Sequence, residues 1–227
     1  SPHIHHFIAK NEESIKLLLN PILQKIKGSL FFGIEEYFPV DSFKSLNLKK
    51  YSEKQLCFDL VKQTLSRSHH FGALMDYAMT VTSELIMNSF FDAPIDKTTK
   101  APLFMNVSRE TDIELPDGYV NVFSCAVSPK WLAISMTDPF GSLNKVSAEK
   151  ALRRSSRTAG EDQFRSLKTN EGAGVGLYLI YNSLCHIIFK IKPFEKTEVI
   201  CFFKIIKQQK EYESYIKSFQ FLEGTLL

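Results

Sequence analysis

The chain predicts an α+β protein: a two-layer α/β sandwich with a mixed, mostly antiparallel sheet covered by helices on one face. Three observations carry this. Helical apolar spacing dominates up to about residue 91, and strand-like runs dominate after residue 118. Two of those runs face each other across Pro129-Lys130, as a hairpin requires. No strand–helix alternation of the doubly wound kind occurs.

In chain order, Ile15, Leu18, Leu19, Ile22, Leu23 and Ile26 recur at helical intervals. Asn20-Pro21 is able to restart that helix, because Asn caps well and Pro suits a first helical position, and Gly28 ends it. Leu30 to Phe38 is rich in aromatics and reads as a strand. Ser52–Ser66 reads as a helix capped by Ser52, and Phe71–Phe91 as a longer one. Lys97–Pro116 is polar and broken by prolines, and Asp117-Gly118 signals a turn. Tyr119–Ser128 and Trp131–Thr137 are strands. Gly141–Glu171 is a polar stretch with a short helix near Ala148–Arg154. Gly174–Cys185 is a helix entered through glycines, and Ile187–Ile191 and Glu198–Ile206 are strands turning at Pro193. Tyr212, Tyr215, Ile216 and Phe219 give a last amphipathic helix. The organisation is thus a helix-and-strand extension (1–50), a main domain (51–207) and a carboxy-terminal helix (208–227). The apolar stripes of the two flanking helices suit packing on the domain's own sheet, with a dimer or partner interface as the alternative.

Composition narrows the function classes. The 227 residues carry 28 Lys and Arg against 25 Asp and Glu, a net charge of +3, too mild to announce nucleic-acid binding. No apolar run is long enough to span a bilayer and no signal peptide is visible, so the expectation is a cytoplasmic protein without membrane or nucleic-acid partners. The chain begins without Met, which leaves an upstream domain open. Cys57, Cys125, Cys185 and Cys201 form no CxxC pair and sit in apolar surroundings, which suits small buried side chains. His3, His5 and His6 have no carboxylate or thiol nearby to complete a metal set, so a flexible terminus is the simpler reading.

Three segments carry chemistry. Glu171-Gly-Ala-Gly-Val-Gly-Leu177 places glycines on alternate positions at a helix start, where bare backbone N–H groups and the helix dipole suit a phosphate chain. It is neither a Rossmann fingerprint, for lack of a preceding strand, nor a P-loop, for lack of Gly-Lys-Ser/Thr. On its own it equally fits a helix packed close on a sheet. Glu84, Asn88 and Asp92, at i, i+4 and i+8, form one polar stripe bordered by Leu85, Ile86, Phe90 and Phe91. Asn is a poor choice for helix stability but a hard ligand for Mg²⁺, and a neighbouring carboxylate can act as a general base. A solvated polar face is the plainer reading. Asp138 ends a buried strand, where a carboxylate accepts a hydrogen bond from an exocyclic amine or simply caps a turn.

In this order the three segments resemble the GHKL (Bergerat-fold) ATP-binding domain, the histidine-kinase-like ATPase superfamily. Its pattern is Glu-x-x-x-Asn on a helix, Asp-x-Gly-x-Gly after a strand, a variable lid, a Gly-x-Gly-x-Gly-Leu helix start and a strand-borne Thr. Here these are Glu84 with Asn88; Asp138; a lid at 142–171; Gly172, Gly174, Gly176 and Leu177; and Thr197, over roughly Tyr51–Ile206. The resemblance implies that Asp138 holds the adenine amino group with Thr197 nearby through water, and that Asn88 binds Mg²⁺ bridging the phosphates of ATP. The glycines would contact those phosphates and Glu84 would be the base. Basic residues of the lid such as Lys168 would help. The chain departs from the family pattern at Phe140 and Ser142, which replace both glycines of Asp-x-Gly-x-Gly, so that only a one-residue slip lets Gly141 serve, and at Lys196, which precedes Thr197.

Within the superfamily, His69-His70 lie too close to the Glu84 helix for a phosphoacceptor helix, and no transducer domain follows. Asp92 stands where anti-sigma kinases often carry His, and the layout is most similar to the anti-sigma-factor, serine-kinase branch. The resemblance therefore implies an Mg²⁺-ATP-dependent regulatory protein that transfers phosphate to a partner protein. The alternatives are a nucleotide-responsive module without turnover and the catalytic part of a sensor histidine kinase, with a homodimer left open. Residues 142–171 carry seven basic and four acidic side chains, an excess equal to the whole chain's net charge, where a lid would cover a triphosphate.

Overall fold

A computed structural model of the chain describes residues 6–27, 32–39, 42–66, 68–146, 148–149 and 175–224. Seven strands form one sheet in the order β1-β7-β5-β6-β4-β3-β2. They are β1 (His6–Phe7), β2 (Phe43–Leu48), β3 (Asn121–Val127), β4 (Trp131–Asp138), β5 (His186–Lys192), β6 (Lys196–Lys204) and β7 (Ser218–Glu223). Every neighbouring pair is antiparallel except β5 with β7. The helices are α1 (Glu12–Ile26), α2 (Lys54–Leu65), α3 (Ala73–Met87), α4 (Val175–Ser183) and α5 (Gln209–Glu213). The α+β class and the packing of helices on a mixed, mostly antiparallel sheet are those expected, whereas the cover on the sheet's second face is not.

Helix and sheet meet through complementary periods. On α2 the buried side chains are Cys57, Leu60, Val61 and Leu65, one helical stripe. On α3 they are Leu74, Ala78, Val81, Thr82, Leu85 and Ile86, a wider band. The sheet answers with every second residue, Phe123 and Cys125 on β3 and Ile134 and Met136 on β4, all buried. All four cysteines are free and buried, and burial pushes the Cys57 and Cys125 thiols up to about 12.

The opposite face of the sheet is covered by the amino-terminal segment. Gln220 Nε2 donates to the Leu18 carbonyl of α1 at 2.6 Å, and Ser14 Oγ lies 3.3 Å from His186 Nε2. Glu13 pairs with both Lys204 and Lys130. Further along, Tyr37 and Phe38 pack on Phe202, and Gly33 N donates to Glu198 Oε2 at 2.7 Å. The stripe of α1 containing Leu18 thus rests on the molecule's own sheet, as its spacing suggested. All eight residues of β4 are buried, because both faces of that strand are covered.

Five local expectations differ from the structure. Ser52 does not cap the second helix: it lies inside a 3₁₀ turn, Tyr51–Glu53, and α2 begins after Glu53 with no side-chain cap. The aromatic run ending at Phe38 forms no strand in its described part but a single 3₁₀ turn, Ile34–Glu36, followed by Tyr37 and Phe38, whose rings pack on Phe202. The edge strand is instead the polar Phe43–Leu48, specified by six consecutive pairings to β3. The last amphipathic helix stops at Glu213, and residues 218–223 become β7, with Ser218 and Gln220 facing α1 and Phe221 the other way. Asn20-Pro21 does not restart α1, which runs through Pro21 as one helix. The short helix near Ala148–Arg154 falls mostly outside the described residues. Among the described residues no helix is long and apolar enough to cross a membrane.

Candidate functional site

The first half of the site is built on α3. Glu84 and Asn88 lie one turn apart, so α-helical geometry puts them on one face. At Asn88 the helix changes character: Asn88–Asp92 is a π-turn, closed by Ala93 N donating to the Asn88 carbonyl at 2.8 Å. The wider turn takes Asp92 off the regular stripe and into solvent, where it pairs with Arg109 at 2.6 Å. The expected three-residue stripe is therefore a two-residue pair followed by a surface ion pair.

Helix α4 packs against this face. A methyl group added at Gly176 would run into the Glu84 carboxylate and lie 3.6 Å from the Asn88 amide oxygen. Glycine is what permits this approach, since any side chain would fill the gap between the two helices. Glu84 and Asn88 are thus brought together with Gly176, far along the chain from both. Leu177, next on α4, packs partly buried against the core. Burial raises the Glu84 carboxyl above its usual range, and nearby Arg109 partly opposes that. Neither Glu84 nor Asn88 makes a side-chain hydrogen bond to another described residue.

The second half lies at the ends of β4 and β6. Asp138 and Thr197 are directly paired across the two strands. Both face the helix layer, since Asp138 continues the Ile134, Met136 series. Asp138 Oδ1 accepts from Phe140 N at 2.9 Å and from Gly141 N at 3.3 Å. Burial nevertheless pushes its carboxyl up to about 6, against the opposing pull of those two N–H groups, the Thr197 hydroxyl and Lys97. Thr197 Oγ1 is itself buried and makes no well-formed hydrogen bond. A buried carboxylate beside a buried hydroxyl that only weakly reaches it leaves hydrogen-bonding capacity open and suits a polar ligand edge, direct or through water.

The turn after Asp138 explains the departures from the glycine pattern. Gly141 has φ of 61° and its α-carbon is pressed against the backbone of the β5–β6 turn, with Phe194 N and Glu195 N each 2.7 Å from where a β-carbon would sit. Its glycine is required by that contact. Phe140 is fully buried and packs on Tyr119 with ring centroids 5.1 Å apart. Ser142 Oγ donates to the Ala93 carbonyl at 2.8 Å, tying the turn to the end of the π-turn.

Two residues near the site carry no motif and were missed in the sequence. Lys97 Nζ donates to the carbonyls of Pro139 (2.7 Å) and Phe194, clamping the Asp138 turn to the β5–β6 turn. Arg109 stacks over Phe91 with its guanidinium carbon 4.9 Å from the ring centroid. Both sit in a polar stretch whose pattern gives no periodic cue. Lys168, Gly172 and Gly174, with nearly all of the expected lid, lie outside the described residues. Among the described residues no cluster of three or more His, Cys, Asp or Glu could hold a metal.

A scan against protein-family models finds no family that matches this chain, and no curated protein matches it.

Proposed function

We propose that the protein binds Mg²⁺-ATP and transfers phosphate to a serine of a partner protein, as anti-sigma-factor-type kinases do. The observation that carries this reading is the meeting of Glu84, Asn88 and Gly176 at one end of the helix layer, with the Asp138–Thr197 pair on the same face of the sheet. The residues suit the ligand: Asp138 and the buried Thr197 hydroxyl, which makes no well-formed bond, offer acceptors to the adenine amino edge. Asn88 offers an amide oxygen to Mg²⁺, and the start of α4 offers backbone N–H groups to phosphate. Mg²⁺, when bound, neutralises charge on the transferring phosphoryl group.

Glu84 acts as general base. It takes the proton of the partner's serine hydroxyl as the serine oxygen bonds to the terminal phosphorus and the bond from that phosphorus to the bridging oxygen breaks, leaving ADP. Its burial, which raises its affinity for a proton, suits that task. A second reading, a nucleotide-responsive binding module without turnover, is favoured by Phe140 and Ser142, which are committed to packing where the family pattern has glycines.

The test uses melting and radiolabelled Mg²⁺-ATP with the whole chain. Millimolar ATP should raise the melting temperature, and Asp138→Asn should remove that rise. Glu84→Ala should keep the rise and lose transfer. Binding without phosphate release or transfer leaves the module, and absence of any shift with ATP or ADP overturns both readings.

A further inference from the structure

Three turns meet at the Lys97 ammonium. The first is its own: residues 94–103 fold back on themselves, with Asp96 N donating to the Ala101 carbonyl at 2.9 Å and Leu103 N to the Pro94 carbonyl at 3.0 Å. The Asp96 carboxylate accepts from Thr98 N at 2.9 Å and from Thr99 N at 2.6 Å, an Asx-type turn with Lys97 at its head. The second is the Asp138 turn and the third the β5–β6 turn, joined by Phe194 N donating to the Gly141 carbonyl at 3.0 Å. Lys97 reaches one main-chain carbonyl in each, and its Nζ lies 5.8 and 5.7 Å from the ring centroids of Tyr119 and Phe140. Among the described residues only Lys100 and Phe194 are non-glycine residues with positive φ, 62° and 58°, and Lys100 Nζ sits 4.3 Å from the Phe194 ring centroid. Such backbone persists where the surroundings over-determine it, and it clusters at ligand sites.

A neutral donor would suffice to bridge two carbonyls. A half-buried ammonium carries a desolvation cost in addition: burial lowers the Lys97 pKa, with Asp138 opposing, Lys100 adding and Glu195 opposing. Glu195 is already paired with Lys192 at 2.6 Å, and Asp96 is committed to its own turn. The buried Asp138 is the anion left for this charge to serve. We infer that Lys97 is a positioning residue of the Asp138 site: its ammonium fixes the turn and keeps the carboxylate a hydrogen-bond acceptor. In the nucleotide reading, on which this role rests, that state matters at one atom. Asp138 Oδ1 is occupied by the N–H groups of Phe140 and Gly141, so a proton enters on Oδ2, the oxygen left for a ligand. A proton there turns an acceptor for an adenine amino group into a donor facing it. By favouring the anion, Lys97 widens toward acid the pH range over which Oδ2 accepts.

Carbon-13 NMR of the Asp138 carboxyl in the whole chain, assigned with Asp138→Asn, tests the charge directly. Lys97→Met should raise the titration midpoint from about 6 by at least about half a pH unit, and Lys97→Arg, which keeps the cation, should raise it less. A clamp without an electrostatic role predicts the opposite sign, because a loosened turn admits water and the midpoint falls toward 3.8. An unmoved or falling midpoint in Lys97→Met overturns the inference, and so does an Arg variant that shifts as far as Met. ATP affinity by calorimetry gives a second readout. The deficit of Lys97→Met against the natural protein should be at least about twofold larger at pH 5.5 than at pH 8.5, where both carboxyls are ionised. A deficit that does not change with pH overturns the inference as well. If the natural protein binds no ATP at either pH, the nucleotide reading fails, while the carboxyl titration still decides the role of Lys97.

Discussion

Asp138 illustrates how a single buried charge serves two opposed ends. Its carboxyl is raised from 3.8 to about 6, so the folded protein binds a proton there that the unfolded chain has already released. Between those values stability falls as pH rises, and above about 6 the full cost of the buried carboxylate is present, roughly 3 kcal/mol by linkage. Asp138→Asn should therefore melt higher than the natural protein at pH 7.5 and lose that advantage near pH 4, as calorimetry at the two pH values would read. An Asn that is no more stable at pH 7.5 would mean that the charge is already solvated. The same carboxylate should bind an adenine amino group best when ionised, so ATP affinity should decline below about pH 6. The sequence marked this residue by its place at the end of an apolar strand, along with Glu84, Asn88, Gly176 and Thr197 through the motifs they complete. It gave no sign of Lys97 and Arg109, because a lone cation in an irregular segment is located only by the backbone carbonyls and rings it reaches.

At the scale of elements, α1 is held to β5 and β6 by a polar and aromatic cluster. His186 is fully buried beneath α1, against Trp131, Tyr215 and Ser14, with Lys204 nearby and Glu13 bridging Lys204 and Lys130 above it. Burial, with the neighbouring Lys204, lowers its pKa from 6.5 to about 3. The unfolded chain takes up a proton below 6.5 that the fold refuses, so this group's contribution is complete above 6.5, falls with pH and is lost near 3. The loss is at most about 5 kcal/mol. Asp138, with the opposite shift, gains stability over part of the same range, so the comparison must be between the natural protein and His186→Gln. Urea denaturation at pH 7 and pH 4.5 should show a steeper acid loss in the natural protein, and parallel losses would refute the assignment. Element type was readable wherever periodicity was long, as in α2, α3 and the β3–β4 hairpin. It failed for 218–223, where Tyr212, Tyr215, Ile216 and Phe219 share a helical spacing that carries no helix past Glu213. There the vacant edge of β5 recruits the chain as a strand.

At the scale of the molecule, the decisive feature is that the sheet has two covered faces. The second cover is sealed by charge as well as rings. Lys190 and Glu36 pair at 3.0 Å with almost no exposure, and Glu198, opposite Lys190 in the sheet, accepts from Gly33 N and Ser135 Oγ. Burial raises the Glu198 carboxyl, and Lys190 opposes that rise. Since β6 carries Thr197 on one face and Glu198 on the other, the amino-terminal cover rests directly behind the candidate site. Glu36→Gln removes one partner of a buried pair and should cost roughly 3 kcal/mol in urea denaturation. Glu36→Met with Lys190→Met should recover little of that, because it also takes from the buried Glu198 the cation that opposes its burial. A cost under about 0.5 kcal/mol for the single change would show the pair to be solvated.

The α+β class, most strands and helices, and the positions Glu84, Asn88, Asp138, Gly176 and Thr197 were legible in the amino-acid pattern, because they depend on local period and on motifs that act through backbone geometry. The pattern also held an unused clue to the second cover: Trp131–Thr137 and Ile187–Ile191 are nearly continuous in apolar character, as strands buried on both faces are. What lies on that second face, where Phe43–Leu48 and Ser218–Glu223 join the sheet, and the meeting of Glu84 with Gly176 are settled by the fold alone. Those choices are made between segments far apart in the chain, by the area each pairing buries, and no local pattern encodes that sum.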